Sequence, residues 1–189
     1  MPVQSLRDGA DVVLFSGDKL LGGPQCGIII GKQDCLDRIN KHPLMRALRL
    51  DKTIYAALSA TLDIYLGPHP EQHIPLLRLL TESIDQLQQR AEATAKVIQE
   101  NSSDELTVET VSDTTYLGGG SVPGQEIATV CIILEHQSIS PDEISKRLRT
   151  CKTPLLGRIH DNRFTIDFRS VFASEDSSVA NAVVEALNA

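Results

Sequence analysis

The sequence predicts an α/β fold followed by a small α+β lobe with an antiparallel sheet. Two short apolar runs, at 11–15 and 27–31, have the composition of interior strands of a parallel sheet. A helical pattern of apolar residues extends from 74 to 100, and beyond residue 104 the apolar period changes to two. We therefore expect three parts, an α/β part at 1–70, a long connecting helix at 71–102 and the lobe at 103–189.

The two predicted strands enclose the most informative segment. After the strand at Asp11–Phe15, Ser16-Gly17-Asp18 ends the run and Lys19 follows directly. Gly22-Gly23-Pro24 then turns the backbone before the second strand at Gly27–Gly31. A lysine between two buried strands is costly to place unless its amine has a task. Imine formation with an aldehyde cofactor fits best, whereas a solvated loop lysine is the alternative that spacing alone leaves open.

Helix signals fill the rest of the first part. Asp34 is predicted to cap a short helix that ends at Lys41, and Asp51 a longer one that ends at Leu66. The pattern over 74–100 predicts one long helix. Its apolar stripe suits a coiled-coil seam, but such stripes more often form the buried face of a helix that bridges two lobes, and we expect the buried face.

The lobe is predicted from strands and two helices. Alternation at Leu106–Val111 predicts a half-exposed strand, and the segments Ile127–Glu135 and Arg163–Phe168 predict two more. A capping sequence at Ser140 predicts a helix that ends at Thr150, and a final amphipathic helix is expected from Ser174 or Glu175 to Ala189. This order of elements favours an α+β lobe with an antiparallel sheet.

Composition argues against several classes of protein. The net charge of -7 disfavours a dedicated nucleic-acid-binding surface, which needs clusters of basic residues. The four cysteines form no Cys-x-x-Cys pair, so we expect reduced thiols and no metal site. No apolar run approaches the roughly 20 residues that span a membrane, and the amino terminus lacks the pattern of a signal peptide. We expect a soluble, cytoplasmic protein with no membrane partner.

Three charged residues are further candidates for a site. Asp18 precedes the lysine, where it either orients a basic residue or tunes the pKa of the amine, or else stabilises the turn. Arg46 and Arg49 are three apart, so on a helical turn their guanidinium groups share one face. Two such groups in an apolar stretch repel each other unless an anion lies between them, and their planar forks suit phosphate oxygens. A pair of surface salt bridges is the alternative.

Several segments closely resemble bacterial selenocysteine synthase, the L-seryl-tRNA(Sec) selenium transferase family, and they occur in the family's order. They are Ser16–Gln25, Gly27–Lys32, Arg46–Thr53, Gly118–Gly124, Pro154–Ile159 and Asp167–Arg169. That family belongs to the fold type I enzymes that use pyridoxal phosphate. The resemblance implies the carboxy-terminal part of the large domain followed by the small lobe. Missing would be the tRNA-binding amino-terminal domain and the first half of the cofactor domain.

The resemblance also implies roles for individual residues near the lysine. Lys19 would bind pyridoxal 5′-phosphate covalently and act in catalysis together with Asp18. Ser16, Gly22 and Gly23 would lie beside the cofactor. These are expectations for the complete protein, because most of the phosphate-binding loop would belong to the missing half.

Three arginines and one loop are further candidates for binding a substrate or a ligand. By resemblance, Arg46 and Arg49 help to hold the anionic group of selenophosphate. Arg158 is a candidate for contacting the substrate, here the acceptor end of the tRNA, or else it makes ion pairs. The loop Gly118–Gly124 either lets the backbone approach a ligand or a subunit, or serves as a flexible connection.

The implied reaction converts seryl-tRNA(Sec) to selenocysteinyl-tRNA(Sec) with selenophosphate, through an aminoacrylyl intermediate, in a homo-oligomer. The chain alone is expected to be incomplete for this activity. Two alternatives stay open. One is a related pyridoxal-phosphate-dependent lyase that acts on a small amino acid or an amino sugar phosphate. The other is a non-catalytic remnant that oligomerises.

Overall fold

The computed structural model of the chain describes residues 2–117 and 126–188. They form two compact units, unit 1 from 2 to 78 and unit 2 from 79 to 188. The glycine-rich segment Gly118–Gly124 lies outside the described residues. Within those residues, every helix is too short or too polar to cross a membrane.

Unit 1 contains two strands and a series of helices. The elements are α1 (Pro2–Arg7), β1 (Val12–Ser16), β2 (Gly27–Gly31), α2 (Gln33–Lys41), α3 (Leu44–Ala47), α4 (Lys52–Leu66), α5 (Pro70–His73) and α6 (Pro75–Thr81), which ends just inside unit 2. Asp51 caps α4 as predicted, because its carboxylate accepts a hydrogen bond from the Ile54 amide at 3.0 Å. The cap predicted at Asp34 was wrong by two positions. Lys32 is the cap residue of α2, and Asp34 lies in the first turn, where the helix dipole favours a carboxylate.

Strands β1 and β2 are antiparallel partners, with Val12 opposite Gly31 and Ser16 opposite Gly27. The prediction of a parallel sheet was therefore wrong for this pair. A parallel pair needs a crossover of about a dozen residues or more, usually a helix, and residues 17–26 form only a loop. The mixed α/β class itself is confirmed.

The same strands were predicted to be buried, and this was also wrong. Among residues 2–78 the buried positions are Gly17, Cys26 and Ile74. Leu14 in the middle of β1 is 69% exposed. An apolar run shows what a strand could bury, but it does not show whether another element covers it.

Unit 2 is built around a four-stranded sheet. Its further elements are α7 (Ile84–Asn101), β3 (Leu106–Tyr116), β4 (Glu126–His136), α8 (Pro141–Thr150), β5 (Arg158–His160), β6 (Arg163–Asp167) and α9 (Asp176–Leu187), with short 3₁₀ turns at Phe168–Ser170 and Ala173–Glu175. The strand order is β3-β4-β6-β5, with antiparallel neighbours throughout. The predicted antiparallel lobe is confirmed. Strand β5 was missed because three residues are too few to show an alternation.

The core of unit 2 lies between this sheet and helices α7, α8 and α9. Alternate residues of β4, namely Val130, Ile132 and Leu134, are fully buried on the helix side. Leu87 and Ala91, which belong to the predicted apolar stripe, are fully buried in the same cluster. Burying each large apolar side chain contributes roughly 1.5–3 kcal/mol, so this cluster supplies most of the stability of unit 2.

The predicted long helix over 74–100 is two helices. Helix α6 ends at Thr81, and Ser83 begins α7 with a reciprocal cap. The Ser83 hydroxyl accepts a hydrogen bond from the Gln86 amide, and the Gln86 side chain accepts one from the Ser83 amide, each at 3.3 Å. This capping box begins a new helix at Ser83, although the apolar stripe continues from α6 into α7. The division of the complete protein at 70 and 102 stays a prediction.

Arg169 holds the break between α6 and α7 in place. Its side chain is buried, with the residue 7% exposed. The guanidinium donates to the carbonyls of Leu79 and Glu82 at 3.1 Å and of Leu80 at 3.3 Å, and its Nε donates to Ala128 at 2.8 Å. Carbonyls at a helix end have no partner within the helix, so one arginine satisfies the end of α6 and ties it to β4.

We expect Arg169→Met to lower the free energy of unfolding of unit 2 by about 3 kcal/mol or more, because buried carbonyls lose their charged donor. Denaturation in urea, followed by circular dichroism, measures the change. The matched control is Arg163→Met on β6, whose guanidinium is 38% exposed and lies 3.7 Å from Glu135 and 3.8 Å from Glu109. That variant should lose under about 1 kcal/mol. Equal losses in the two variants would show that Arg169 has no special role.

Candidate active site

The segment Gly17–Cys26 between β1 and β2, called the lysine loop below, is closed by its own backbone. The Gly17 amide donates to the carbonyl of Cys26 and the Gly23 amide to the carbonyl of Gly17, both at 2.8 Å. The Gly22 amide donates to the carbonyl of Lys19 at 2.9 Å. These bonds fold the loop back on itself, so the backbone at Lys19 has a defined shape.

Two of the loop's glycines are required by this shape. Gly22 has φ +68°, a left-handed conformation that glycine adopts without strain. A Cβ at Gly22 would lie 2.7 Å from Cγ2 of Ile74. A Cβ at Gly17 would collide with the sulfur of Cys26. The Gly-rich sequence around the lysine is therefore explained by packing within unit 1.

Helix α4 packs against the lysine loop. The hydroxyl of Tyr65 donates to the carbonyl of Leu21 at 3.0 Å and approaches that of Leu20 at 3.4 Å. Thr61 lies one turn earlier, with its side chain 3.3 Å from the place where Gly23 would carry a Cβ. The sequence predicted the helix that carries Thr61 and Tyr65 but not this contact. A tyrosine on a packed helix face was the available signal, because its hydroxyl needs a partner when partly buried.

The structure brings Ser16, Asp18 and Lys19 together. The Ser16 hydroxyl donates to one carboxylate oxygen of Asp18, and Nζ of Lys19 lies 4.0 Å from the other. The hydrogen bond from Ser16 lowers the pKa of Asp18 from its usual 3.8, so Asp18 is ionised throughout the neutral range. The Lys19 side chain is 50% exposed. The partly desolvated amine that favours imine formation stays a prediction for the complete protein.

The remaining residues expected beside the cofactor serve the loop itself. The amides of Gly22 and Gly23 make the backbone hydrogen bonds described above, and the Ser16 hydroxyl is bonded to Asp18. A direct contact of any of these three with a phosphate would have to replace an existing hydrogen bond. Lys19 is the member of this set whose reactive group is accessible.

The two candidate anion-binding arginines lie in and after α3. Arg46 belongs to the helix, but α3 ends at Ala47 and Leu48 is the capping residue. The predicted common helical face was therefore wrong for Arg49. Both arginines are exposed, and neither makes an ion pair or side-chain hydrogen bond with 2–117 or 126–188. The alternative of two surface salt bridges is not what the described residues show.

Arg158 lies on the sheet of unit 2 between two carboxylates. Its Nη2 is 2.5 Å from Asp113 and its Nη1 is 3.6 Å from Asp167. A hydrogen bond from the Thr114 amide and the charge of Arg158 lower the pKa of Asp113. Beneath this group, burial raises the pKa of the Cys131 thiol to about 12. Arg158 thus makes the ion pairs that the sequence left open as its second role.

Comparison with known proteins identifies the family. The family model of SelA, L-seryl-tRNA selenium transferase, matches residues 1–172. The chain belongs to this family. The family suggested by the sequence motifs is therefore confirmed, and the match spans Lys19, Arg46, Arg49 and Arg158.

Curated relatives agree with this assignment. The chain is 40% identical over 184 residues to an L-seryl-tRNA(Sec) selenium transferase of Hyphomonas neptunium, a match to 94% of the chain and 38% of that protein. It is 41% identical over 169 residues to the Alkaliphilus metalliredigens protein of the same name, covering 89% of the chain and 36% of the relative. For the Aquifex aeolicus protein of the same name the identity is 37% over 180 residues, a match to 95% of the chain and 39% of that protein. The chain thus spans well under half the length of these relatives.

We expect Tyr65→Phe to loosen the lysine loop without unfolding α4. The lost hydrogen bond is worth about 1 kcal/mol, so local opening should become roughly fivefold more frequent. Limited trypsin cleavage after Lys19, followed by mass spectrometry, reports this opening. The control is Tyr55→Phe on the same helix, whose tyrosine is 58% exposed. Equal cleavage rates in the two variants would contradict the role of the Tyr65 hydroxyl.

Proposed function

We propose that the complete protein to which this chain belongs converts seryl-tRNA(Sec) to selenocysteinyl-tRNA(Sec), with pyridoxal 5′-phosphate as cofactor and selenophosphate as selenium donor. The observation that carries the proposal is the accessible Lys19 amine on a loop closed by backbone hydrogen bonds, within residues 1–172 that match the selenium transferase family. We place this activity in the cytoplasm, in a homo-oligomer.

The accessible amine of Lys19 fits covalent attachment to an aldehyde, because an amine must be free to approach a carbonyl carbon. The loop amides and Ser16 are occupied within the loop, so the contacts to the cofactor phosphate are assigned to the part of the polypeptide outside this chain. When bound, pyridoxal phosphate supplies an electron sink for the charge left on the seryl α-carbon when its proton is removed.

Lys19 is also the group on this chain that can move that proton. Its amine accepts the α-proton of the seryl group, while the Asp18 carboxylate 4.0 Å away keeps the side chain oriented. The seryl β-hydroxyl leaves with a proton as water. The selenium of selenophosphate then bonds to the β-carbon while the α-carbon takes back a proton, and water cleaves the Se–P bond and releases phosphate. The negative charge of Asp18 persists to well below neutral pH because the hydrogen bond from Ser16 lowers its pKa.

Arg46 and Arg49 are the residues we assign to the selenium donor. Selenophosphate is a compact anion, and a guanidinium fork binds such oxygens with two parallel hydrogen bonds. Both side chains are exposed and make no ion pair with the described part of the chain, so their charges are available to a ligand. A phosphorylated amino sugar would use the same groups, and this keeps a related lyase as the second candidate function.

We expect reduction with borohydride in the presence of pyridoxal phosphate to label Lys19 in the complete protein. The complete protein can be made by joining this chain to the part of the Aquifex aeolicus relative that lies outside the match. Peptide mapping by mass spectrometry locates the label, and Lys19→Ala should remove it. The control is Lys32→Ala, another exposed lysine, which is held by Asp11 at 2.5 Å.

A label on any other peptide would refute the assignment of Lys19. No label at all in a folded complete protein would favour the non-catalytic remnant. Labelling at Lys19 with no activity on seryl-tRNA(Sec) would instead favour the lyase. Each result therefore distinguishes one candidate function from the other two.

We expect Arg46→Met and Arg49→Met to weaken the use of selenophosphate and leave cofactor labelling unchanged. Losing one charged hydrogen-bonding partner costs about 1.5–3 kcal/mol, so KM for selenophosphate should rise by roughly tenfold or more. The control is Arg38→Met on α2, an exposed arginine outside the predicted anion site. An unchanged KM in both Arg46→Met and Arg49→Met would rule out this donor site.

A further inference from the structure

Helix α4 carries a second apolar stripe that stays exposed among the described residues. Tyr55, Leu62 and Leu66 are spaced by seven and four residues, which places them along one line of a helix. Their exposed fractions are 58%, 42% and 87%. These three residues are called the outer stripe below.

The outer stripe is the second apolar side of the same helix. Thr61 and Tyr65 contact the lysine loop and are half-buried, as are Ile54 and Leu58, which lie on the same side of the helix. A helix that is apolar on more than one side is normally enclosed by a domain core. In α4 no residue is buried at all. The sequence of α4 is therefore suited to an environment that this chain does not provide.

The strand pair β1–β2 also lacks a covering layer. A sheet of two strands is marginally stable in water and needs further strands or a packed face. In the described residues β1 and β2 pair only with each other, and Leu14 on β1 is 69% exposed. Across 2–78 the buried positions are Gly17, Cys26 and Ile74, which is too few for a core.

We propose that the outer stripe is the docking surface for the part of the family's polypeptide that lies outside the matched region. More than half of each curated relative lies there, which is ample chain to supply further strands and a covering layer. A second copy of this chain could place its own α4 stripe against this one. It would not supply the missing core, because unit 1 of the second copy lacks the same buried side chains. The proposal rests on family membership and on exposure, and it does not depend on Lys19 binding a cofactor.

The test is co-expression of this chain with a separate polypeptide that carries the part of the Aquifex aeolicus relative outside the match, without pyridoxal phosphate. We expect a one-to-one complex by affinity capture and sedimentation. Leu66→Lys should weaken it by at least about tenfold, since a buried leucine contributes about 1.5–3 kcal/mol. A lysine suits the last turn of a helix, so α4 itself should keep its fold, and circular dichroism checks this.

The matched control is Val97→Lys on α7, which places the same charge at a helix position that is 44% exposed in unit 2. It should leave the complex unchanged. Two results would overturn the proposal. One is the absence of any complex with the wild-type chain. The other is a dimer of this chain alone that Leu66→Lys disrupts, because the stripe would then belong to a second copy.

Discussion

The antiparallel pairing of β1 with β2 is the constraint on which the candidate site depends. Because Ser16 lies opposite Gly27, the ten residues between the two strands must return to their starting point, and the Gly17 and Gly23 amides close that return. Lys19 stands in the first half of the loop. The Tyr65 hydroxyl fixes the carbonyls that directly follow the lysine. The backbone position of Lys19 is thus set by the loop geometry and by one helix, and not by burial.

The two units achieve order in different ways. Unit 2 has its own core between the sheet and three helices, and its polar groups at the helix break are satisfied by Arg169. Arg90 adds ion pairs to Glu82 at 2.8 Å and to Asp176 at 2.6 Å, with its side chain only 13% exposed. Unit 1 has hydrogen bonds and caps but hardly any buried side chains. The helices, strands and turns of unit 1 are therefore well defined by local interactions, whereas its side chains form hardly any core.

Much of the fold could be predicted from local signals. Asp51 was recognisable as a cap because it precedes a predicted helix, and the alternation in β3 together with the apolar run of β4 indicated the strands of the lobe. Strand direction could not be predicted in the same way, since the run Val12–Ser16 has the same composition in either orientation. The break at Ser83 was hidden because the apolar stripe continues through it. The capping box at Ser83 therefore decided where α7 begins, and the apolar stripe did not.

The candidate site was predicted in part for the same reasons. Ser16, Asp18 and Lys19 are neighbours in sequence, so their contact follows from the chain itself. The partners of Arg158, by contrast, come from β3 and β6, and the contact of Tyr65 spans more than forty residues. Such pairings depend on the tertiary fold, and sequence patterns carry no information about which distant carboxylate or carbonyl will be opposite.

The exposure of Lys19 and the exposure of the outer stripe have a common cause. Both lie in unit 1, where Gly17, Cys26 and Ile74 are the buried positions among 2–78. An amine in water is strongly hydrated, and catalysis of carbanion formation requires that water be excluded from the reacting groups. This chain positions the amine but leaves it half in solvent. In the proposed function, the part of the polypeptide that covers α4 and the strand pair would also exclude water from the amine, so the core would be completed and the lysine activated together.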